Sequence, residues 1–386
     1  MAQTLINMGQ STAMKVISNM AVSHFVNSMV MGNLVNRELT KEFHRKGDVI
    51  TYNKPVRSTI LDGPDITGSI ADVQQQSSTL KVATLKTIPF QFGALELSLT
   101  PERFFEEVLV DAMAKLPNQV DMDILDLYKK VYYSSGPAGA SDLDFEDVVD
   151  AAALQNHHGV PGARNLVLNP TSHAQLVKTS KGLFLPNYVD GIIKSAQLGQ
   201  MGGYQVFMDQ NVKTHTQATI SGWLVNDTVA TGDTTVTIDT GSGTPAVGDV
   251  FSFASVNSVN PMNYQSTGNV MKFRVVSYAA NVITFTPAIV STGAYQNVTA
   301  LPADDAAITF YGSHTANLAF SKNAFTLATV PLAPIDGLEQ YTATKDNVTI
   351  TISMHPDILT FKSIKRLDVL YGTDVCYPEY AHRLMG

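Results

Sequence analysis

The chain has 386 residues, enough for about two or three domains, and its formal net charge of −8 argues against a general nucleic-acid-coating role. Its single cysteine, Cys376, excludes an internal disulfide and a cysteine-based zinc site. Charged residues make up only 16% of the chain, against roughly 25% in ordinary soluble domains, which suits a protein that buries much of its surface against its own copies and equally a β-rich secreted protein.

Residues 1–46 show a helical pattern of apolar side chains. Two interpretations stay open: a helix packed on its own chain, or an arm whose apolar face, including Phe25 and Met29, docks on a neighbouring chain. The apolar stretch 20–35 is interrupted by polar residues such as Ser23 and His24, so it is too polar to span a bilayer. With no signal-peptide pattern, we expect a soluble protein made in a reducing cytoplasm, with no membrane partner.

The end of this segment carries four basic residues. They stand against the acidic Glu38 and Glu42, so the segment is not a purely basic run. The basic residues are candidates for facing DNA, and a solvated helix end explains them equally well: Arg37, Lys41, Arg45 and Lys46.

Residues 47–99 change to a strand pattern. The runs 48–52 and 80–85 are β-like, and the residues between them are rich in turn formers and glutamine. The ends are expected to pair while the middle reaches away, which predicts a long hairpin whose tip contacts a neighbour or is disordered. The candidate inter-subunit contacts in it are Gly63, Pro64, Asp65 and Gln75.

The longest periodic segment is 100–133, where apolar residues recur at helical spacing. Thr100 is placed to cap the helix, and Pro101 lies in the first turn, where its missing N–H costs nothing. Pro117 lies inside the pattern and is expected to kink or split the helix. Gly136 and Pro137 are the predicted stop.

Strands and helices alternate between residues 141 and 212, which predicts a small α/β domain. The acidic run 141–150 lacks the ligand order of a calcium loop and is interpreted as a helix start. His157 and His158 are adjacent and point to opposite sides, so we expect a surface turn and not a shared metal. A short buried strand is predicted at 166–170.

Residues 213–315 lack any helical period and consist of short strands separated by turn signals. This pattern predicts a small barrel or sandwich. We expect it to be inserted into a loop, because a mixed sequence pattern returns after it, with strands at 347–354 and 362–370. Trp223, the single tryptophan, opens the insert and is expected in its core, with stacking on a sugar or base as the alternative.

Motifs for catalysis are absent from the sequence. There is no phosphate-binding glycine loop, dinucleotide fingerprint, His-Glu zinc helix or strained nucleophile turn. We therefore expect no enzyme activity, no catalytic or metal-binding residue and no cofactor, and the residues favour a role in assembly.

The order of these parts resembles the major capsid (coat) proteins of tailed bacteriophages, of the short-tailed enteric type with a β-barrel insertion domain. Three local runs are similar to that family: LVLNP at 166–170, GYQVFMDQNV at 203–212, and RLDVLYG at 366–372 followed by Pro378 and Glu379. The resemblance covers nearly the whole chain, and the order of parts carries most of it.

The resemblance implies an α+β fold, the Hong Kong 97-like capsid fold, with a long spine helix, an extended hairpin loop and an inserted all-β barrel. The implied domains are an N-terminal arm (1–46), the hairpin loop with peripheral strands (47–99), the spine helix and peripheral domain (100–149), a central α/β domain (150–212 and 316–386) and the insert (213–315).

The resemblance also implies function and partners. The protein would self-assemble into hexamers and pentamers of an icosahedral shell, through a procapsid built with a separate scaffolding protein. Its other implied partners are a portal protein and packaged double-stranded DNA, bound non-specifically. It would reside in the virion, and in the host bacterial cytoplasm during assembly. The Lys–Asn pair that cross-links some relatives has no match here. Two alternatives stay open: a tail or adhesin component that uses the β insert for recognition, and a hydrolase built on that insert.

Overall fold

A computed structural model of the chain describes residues 10–42, 49–57, 75–93, 101–139, 143–179, 198–357 and 362–386. The chain forms two compact units. The first unit comprises Met1–Tyr52, Ser77–Ile124 and Phe325–Cys376, and the second comprises Asn53–Gln76, Leu125–Ala324 and Tyr377–Gly386.

The α-helices within the described ranges are α1 (Gln10–Ser28), α2 (Met31–Leu34), α3 (Pro101–Leu125), α4 (Phe145–His157) and α5 (Pro170–Thr179). The strands are β1 (Val49–Asn53), β2 (Ser77–Lys81), β3 (Thr84–Gly93), β4 (Ser134–Ser135), β5 (Arg164–Leu168), β6 (Gln200–Met201), β7 (Tyr204–Met208), β8 (Thr214–His215), β9 (Leu224–Val225), β10 (Thr235–Asp239), β11 (Val250–Val259), β12 (Ser266–Ala279), β13 (Val282–Thr286), β14 (Ile308–Phe310), β15 (His314–Ser321), β16 (Phe325–Val330), β17 (Glu339–Lys345), β18 (Val348–Asp357), β19 (Lys362–Val375) and β20 (Ala381–Met385). Short 3-10 helices occupy Glu38–Glu42, Asp126–Lys130 and Pro378–Tyr380.

The first unit is built on a five-stranded antiparallel sheet of β16, β19, β18 and β17, with β3 paired to β19. Helix α1 lies on β17 and β18 and buries the apolar face that its sequence predicts. The chain after α1 is held by Asp121, whose carboxylate accepts the backbone N–H groups of Val30 (2.7 Å) and Gly32 (2.8 Å). These two bonds satisfy main-chain donors at the start of α2, as a helix N-terminus requires.

Helix α3 is continuous through Pro117, so the predicted split does not occur. It ends at Leu125, earlier than the periodicity suggests, and passes into the 3-10 helix Asp126–Lys130. The expected apolar stripe is buried where side chains are described, at Leu116, Val120 and Ile124. The predicted cap Thr100 lies outside the described residues.

The two ends of the predicted hairpin pair with each other, because β1 and β2 form a two-stranded sheet. The run predicted as one strand at 80–85 is divided between the end of β2 and the start of β3. Residues 58–74, which hold the expected reaching tip, lie outside the described part of the chain.

The second unit contains a seven-stranded sheet in the order β4, β20, β15, β5, β7 and β6, with β8 paired to β15. Helices α4 and α5 accompany it, and Leu143, Val148, Leu166 and Leu176 belong to its core. Helix α4 begins with a capping box between Asp144 and Asp147. This part agrees with the predicted alternation of strand and helix.

The inserted residues form a six-stranded sheet in the order β14, β11, β12, β13, β10 and β9. Its two edge strands are joined, because the N–H of Ile308 donates to the carbonyl of Trp223 (3.0 Å) and the N–H of Val225 donates to that of Ala306 (3.0 Å). Joining the edges satisfies main-chain groups that an open edge would leave exposed.

The core of the inserted sheet is aromatic. Phe251, Phe253, Phe273 and Phe285 pack with ring centroids 5.3–6.1 Å apart, mostly edge to face. Trp223 belongs to the same cluster, as expected. The indole ring packs on Gly241, where a Cβ atom would collide with it.

Candidate functional site at the base of the inserted strands

Three segments of the second unit that are distant in sequence meet at the base of the inserted strands. They are the 3-10 helix Asp126–Lys130 after α3, the turn at 246–249 that leads into β11, and strand β20. Strand β20 is central in the seven-stranded sheet, between β4 and β15, so its side chains are positioned by main-chain bonds on both sides.

Arg383 on β20 is fully buried, and its guanidinium links these segments. It donates hydrogen bonds to the carbonyl oxygens of Gly248 (3.0 Å), Tyr128 (2.6 Å) and Val131 (3.0 Å). Its carbon centre also lies 5.0 Å from the centroid of the Tyr128 ring. We call Arg383 and its three carbonyl partners the arginine clamp.

A second buried chain of hydrogen bonds runs beside the clamp. The Tyr128 hydroxyl lies 3.2 Å from Nδ1 of His215, and Nε2 of that histidine lies 2.7 Å from Oδ1 of Asp249. The other oxygen of Asp249 accepts the N–H of Ala246 (2.8 Å), which closes the turn before β11. Strand β8 and this turn are therefore fixed to the 3-10 helix Asp126–Lys130.

Burial sets the ionisation of the groups in this junction. It lowers the pKa of Arg383 to about 10, and the nearby Tyr128 and Asp249 oppose that shift. His314, whose ring centroid lies 5.3 Å from that of His215, has its pKa lowered to about 4, first by burial. At neutral pH His314 is therefore uncharged, while Arg383 keeps its charge and balances the buried Asp249.

Further contacts tie the junction together closer to its surface. Lys213 forms an ion pair with Asp126 (2.8 Å), and Lys129 reaches the same carboxylate (3.1 Å). From the inserted strand β12, Lys272 donates to the carbonyl of Ser134 (2.8 Å) and Arg274 to that of Lys129 (3.5 Å). Half-exposed pairs such as Lys213–Asp126 contribute little stability, so we assign the main effect to the buried clamp.

This arrangement holds the segments that meet here in fixed positions. Its polar groups are directed at main-chain carbonyls and at one another. Within the described ranges no group of histidine, cysteine, aspartate and glutamate side chains could hold a metal ion. No helix in that part of the chain is long and apolar enough to cross a membrane.

The residues predicted from sequence lie elsewhere, and the structure brings few of them together. Phe25 in α1 and Met29 just after its end are both buried in the first unit, as in the interpretation of a helix packed on its own chain. Their contact with a neighbouring subunit stays a prediction, and it requires α1 to leave this position. Gln75 is exposed, whereas Gly63, Pro64 and Asp65 lie outside the described residues.

Of the predicted DNA-facing residues, Arg37 is half-buried and donates to Asn33 (3.3 Å). Burial lowers the pKa of its guanidinium, and Asp346 opposes the shift. Lys41 belongs to the 3-10 helix Glu38–Glu42, and its side chain is not described. Arg45 and Lys46 lie outside the described part of the chain, so contact with DNA stays a prediction for all four.

The residues of the clamp were not predicted. Arg383 lies in the run AHRLM, which carries no recognisable motif, and its carbonyl partners are 135 to 255 positions away. His157 and His158 were expected in one surface turn. His157 is exposed there, but His158 is buried and stacks on Tyr133 with ring centroids 3.8 Å apart. For Arg383, the sequence offered one signal, an isolated arginine in an otherwise strand-like segment.

Comparisons with known proteins give one family model and several similar phage structures. A family model described as "P22 coat protein - gene protein 5" matches residues 4–386. Among solved structures, one titled "Mycobacterium phage Che8" is similar at 12% identity, with 92% of this chain and 90% of that chain covered and a TM-score of 0.49. The capsid of cyanophage P-SCSP1u is similar at 11% identity, with 92% and 88% covered and a TM-score of 0.48.

A smaller match is the I-domain of the CUS-3 coat protein, which is 31% identical over 24% of this chain and 91% of that domain, with a TM-score of 0.19. No curated protein matches the chain significantly. The family match therefore carries the assignment.

Proposed function

This chain belongs to the P22 coat protein family, and we propose that it assembles with copies of itself into the icosahedral head shell that encloses the double-stranded DNA of a tailed phage. It is a structural major capsid protein, a component of the virion and not an enzyme. The single observation that carries the proposal is the family match over residues 4–386, nearly the whole chain.

The parts of the chain are assigned to the parts of such a shell subunit. Supporting observations are the long helix α3, the paired strands β1 and β2, and the six-stranded sheet with joined edges. The assignment is an N-terminal arm (1–46), an extended hairpin loop (47–99), a spine helix with peripheral domain (100–149), a central α/β domain (150–212 and 316–386) and an inserted β-barrel (213–315).

The arginine clamp supports a specific role for the insert. A rigid joint holds the inserted barrel in one orientation on the central domain, so any contact that the barrel makes with a neighbouring subunit has a fixed direction. We assign the insert a contact across a two-fold axis of the shell, as the family resemblance implies. The clamp ties the insert to the main chain at Tyr128 and Val131, within the same unit.

Partners follow from the same assignment. The protein uses a separate scaffolding protein to form a procapsid in the host bacterial cytoplasm, joins a portal protein at one vertex, and contacts packaged DNA without sequence preference. Each contact between subunits can be weak, on the order of −4 kcal/mol as for millimolar binding. Because each subunit makes several such contacts at once, the closed shell is stable while errors can still be corrected.

Assembly tests the proposal directly. The purified full chain, mixed with its scaffolding protein, is expected to form closed polyhedral shells in negative-stain electron microscopy. Trimers or small rings would instead indicate a tail component, and a monomer that turns over a substrate would indicate a hydrolase. Either result would overturn the assignment.

A further inference from the structure

A cavity of about 380 Å³ lies in the second unit between the inserted strand β12 and the α/β part. It is bordered by β4, the carboxyl end of α4, β12 and β20. Because these elements come from both parts, a ligand in the cavity would touch the insert and the central domain together. The arginine clamp itself does not line it.

Three residues that line the cavity carry buried polar atoms with no hydrogen-bond partner among the described residues. They are Oγ of Ser134, Nε2 of His158 and Nδ1 of His382. Their residues are only 3%, 8% and 1% exposed, respectively. Buried polar atoms in native proteins nearly always have partners, so three in one cavity indicate that something polar satisfies them there.

The cavity contains one buried cationic group, the ammonium of Lys272. The Lys272 ammonium donates one hydrogen bond, to the carbonyl of Ser134 (2.8 Å), and lies 4.2 Å from the centroid of the Tyr311 ring, so two of its three protons are left to donate. Burial lowers the pKa of Lys272 to about 8, which leaves it charged at neutral pH. His158 also lines the cavity and is neutral at pH 7, because burial lowers its pKa to about 4. The acidic residue among the described lining side chains is Asp150, which is exposed to solvent.

The ring of His382 can donate a hydrogen bond from Nδ1. Nε2 of His382 lies 2.8 Å from the hydroxyl of Ser135. With that hydroxyl donating to Nε2, the neutral ring carries its proton on Nδ1, which is the unpartnered atom. Burial, then Lys272 and His158, hold the pKa of His382 well below its usual value, so the ring is neutral while the cavity holds no anion.

We propose that this cavity binds a small oxyanion of the size and charge of inorganic phosphate, held by the Lys272 ammonium, the Nδ1–H of His382 and the hydroxyl of Ser134. A tetrahedral oxyanion offers several acceptors to donors that converge from different elements, and the lysine supplies the opposite charge. The volume accommodates such an ion together with ordered water, which satisfies His158. The bound ion links the insert to the central domain at a second point, besides the arginine clamp.

The test uses the full-length protein and inorganic phosphate at pH 7, with sodium chloride at matched ionic strength as the control salt. Phosphate is expected to raise the unfolding temperature with a saturable dependence on concentration, and chloride is not. Isothermal titration on the same samples gives the dissociation constant.

Two variants locate the site. Lys272→Met is expected to weaken phosphate binding by at least about tenfold, whereas Lys178→Met, which removes an exposed lysine at the end of α5, leaves it unchanged. Ser134→Ala removes a hydroxyl that has no partner, so it is expected to fold normally and still bind phosphate about tenfold more weakly.

The Ser134 variant keeps the test decisive if the Lys272 variant does not fold. The absence of a saturable phosphate effect in the wild type would overturn the proposal. An effect of equal size in the Ser134→Ala and Lys178→Met proteins would overturn it as well, because the ion would then bind elsewhere.

Discussion

Arg383 is a fully buried charge whose neighbours are mainly main-chain carbonyls. Three carbonyl dipoles and the carboxylate of Asp249 offset the loss of hydration, which would otherwise exclude an arginine from the interior. Such a group stabilises one arrangement of the surrounding segments, because each carbonyl must reach a fixed N–H of a planar fork. Removing the guanidinium would leave its carbonyl partners buried and unpaired, which lowers the stability of the fold.

Replacing Arg383 by methionine keeps most of the buried volume, leaves three carbonyls without their donor and removes the positive charge near the buried Asp249. We expect a loss of about 3 kcal/mol in the free energy of unfolding. The control is Arg57→Met, which removes a half-exposed partner of Glu379 and should cost less than about 1 kcal/mol. Denaturant unfolding of the two monomers gives both values, and equal stability would show that the clamp is not a stabilising joint.

At the scale of elements, periodicity predicted the long helix well but not its end. The apolar stripe continues to Val131, yet α3 stops at Leu125. The carbonyls of Tyr128 and Val131 are engaged by Arg383, and the N–H of Val131 turns back to Tyr128 (3.0 Å) in a 3-10 pattern. A residue more than 250 positions away therefore takes part in setting the local geometry, which no local pattern can reveal.

The positions of the inserted strands were predicted, because each contains an apolar run near turn residues, but β11 and β12 are 10 and 14 residues long and exceed the short strands expected. Their aromatic core lies almost wholly within residues 213–315, with Tyr132 as an outside member. Neither the arginine clamp nor the cavity beside β12 could be predicted. The clamp joins β20 to main-chain carbonyls of distant segments, and the cavity is lined by residues from β4, α4, the insert and β20. Contacts between segments so far apart in the chain produce no recognisable pattern of residue spacing in the sequence.

The insert expressed alone, as residues 213–315, is expected to fold as a β domain, because its core is its own. The far-UV circular dichroism spectrum should be that of a β protein with a cooperative thermal transition. The matched Phe273→Ala insert should lose that transition, since deleting a buried phenyl ring costs about 3–5 kcal/mol. A random-coil spectrum of the unmodified insert would show that these boundaries are wrong.

At the scale of the whole molecule, the order of parts in the sequence was the useful signal. The order of parts predicted from the sequence resembles that of the coat proteins, and the family match covers residues 4–386. The assignment of each part stays a prediction. Individual contact residues were harder to predict, because an apolar helix face has the same pattern whether it packs on its own chain or on another. Phe25 and Met29 illustrate this, since they are buried within the first unit.

Removing residues 63–76 from the hairpin is expected to leave a folded monomer that cannot close shells. These residues are rich in turn formers and glutamine, which predicts a loop and not a core segment. Size-exclusion chromatography and circular dichroism should match the full chain, while electron microscopy should show no closed particles. Normal shells from the deleted protein would refute a role of this segment in contact between subunits.

The position of strand β20 has a consequence for the timing of biogenesis. A chain emerges from the ribosome with its earlier residues first, so the insert can fold long before residues 381–385 exist. Until β20 enters between β4 and β15, the insert lacks its arginine anchor and is held only by links such as the chain from Tyr128 through His215 to Asp249. We therefore expect the orientation of the insert to be completed only when the last strand has folded.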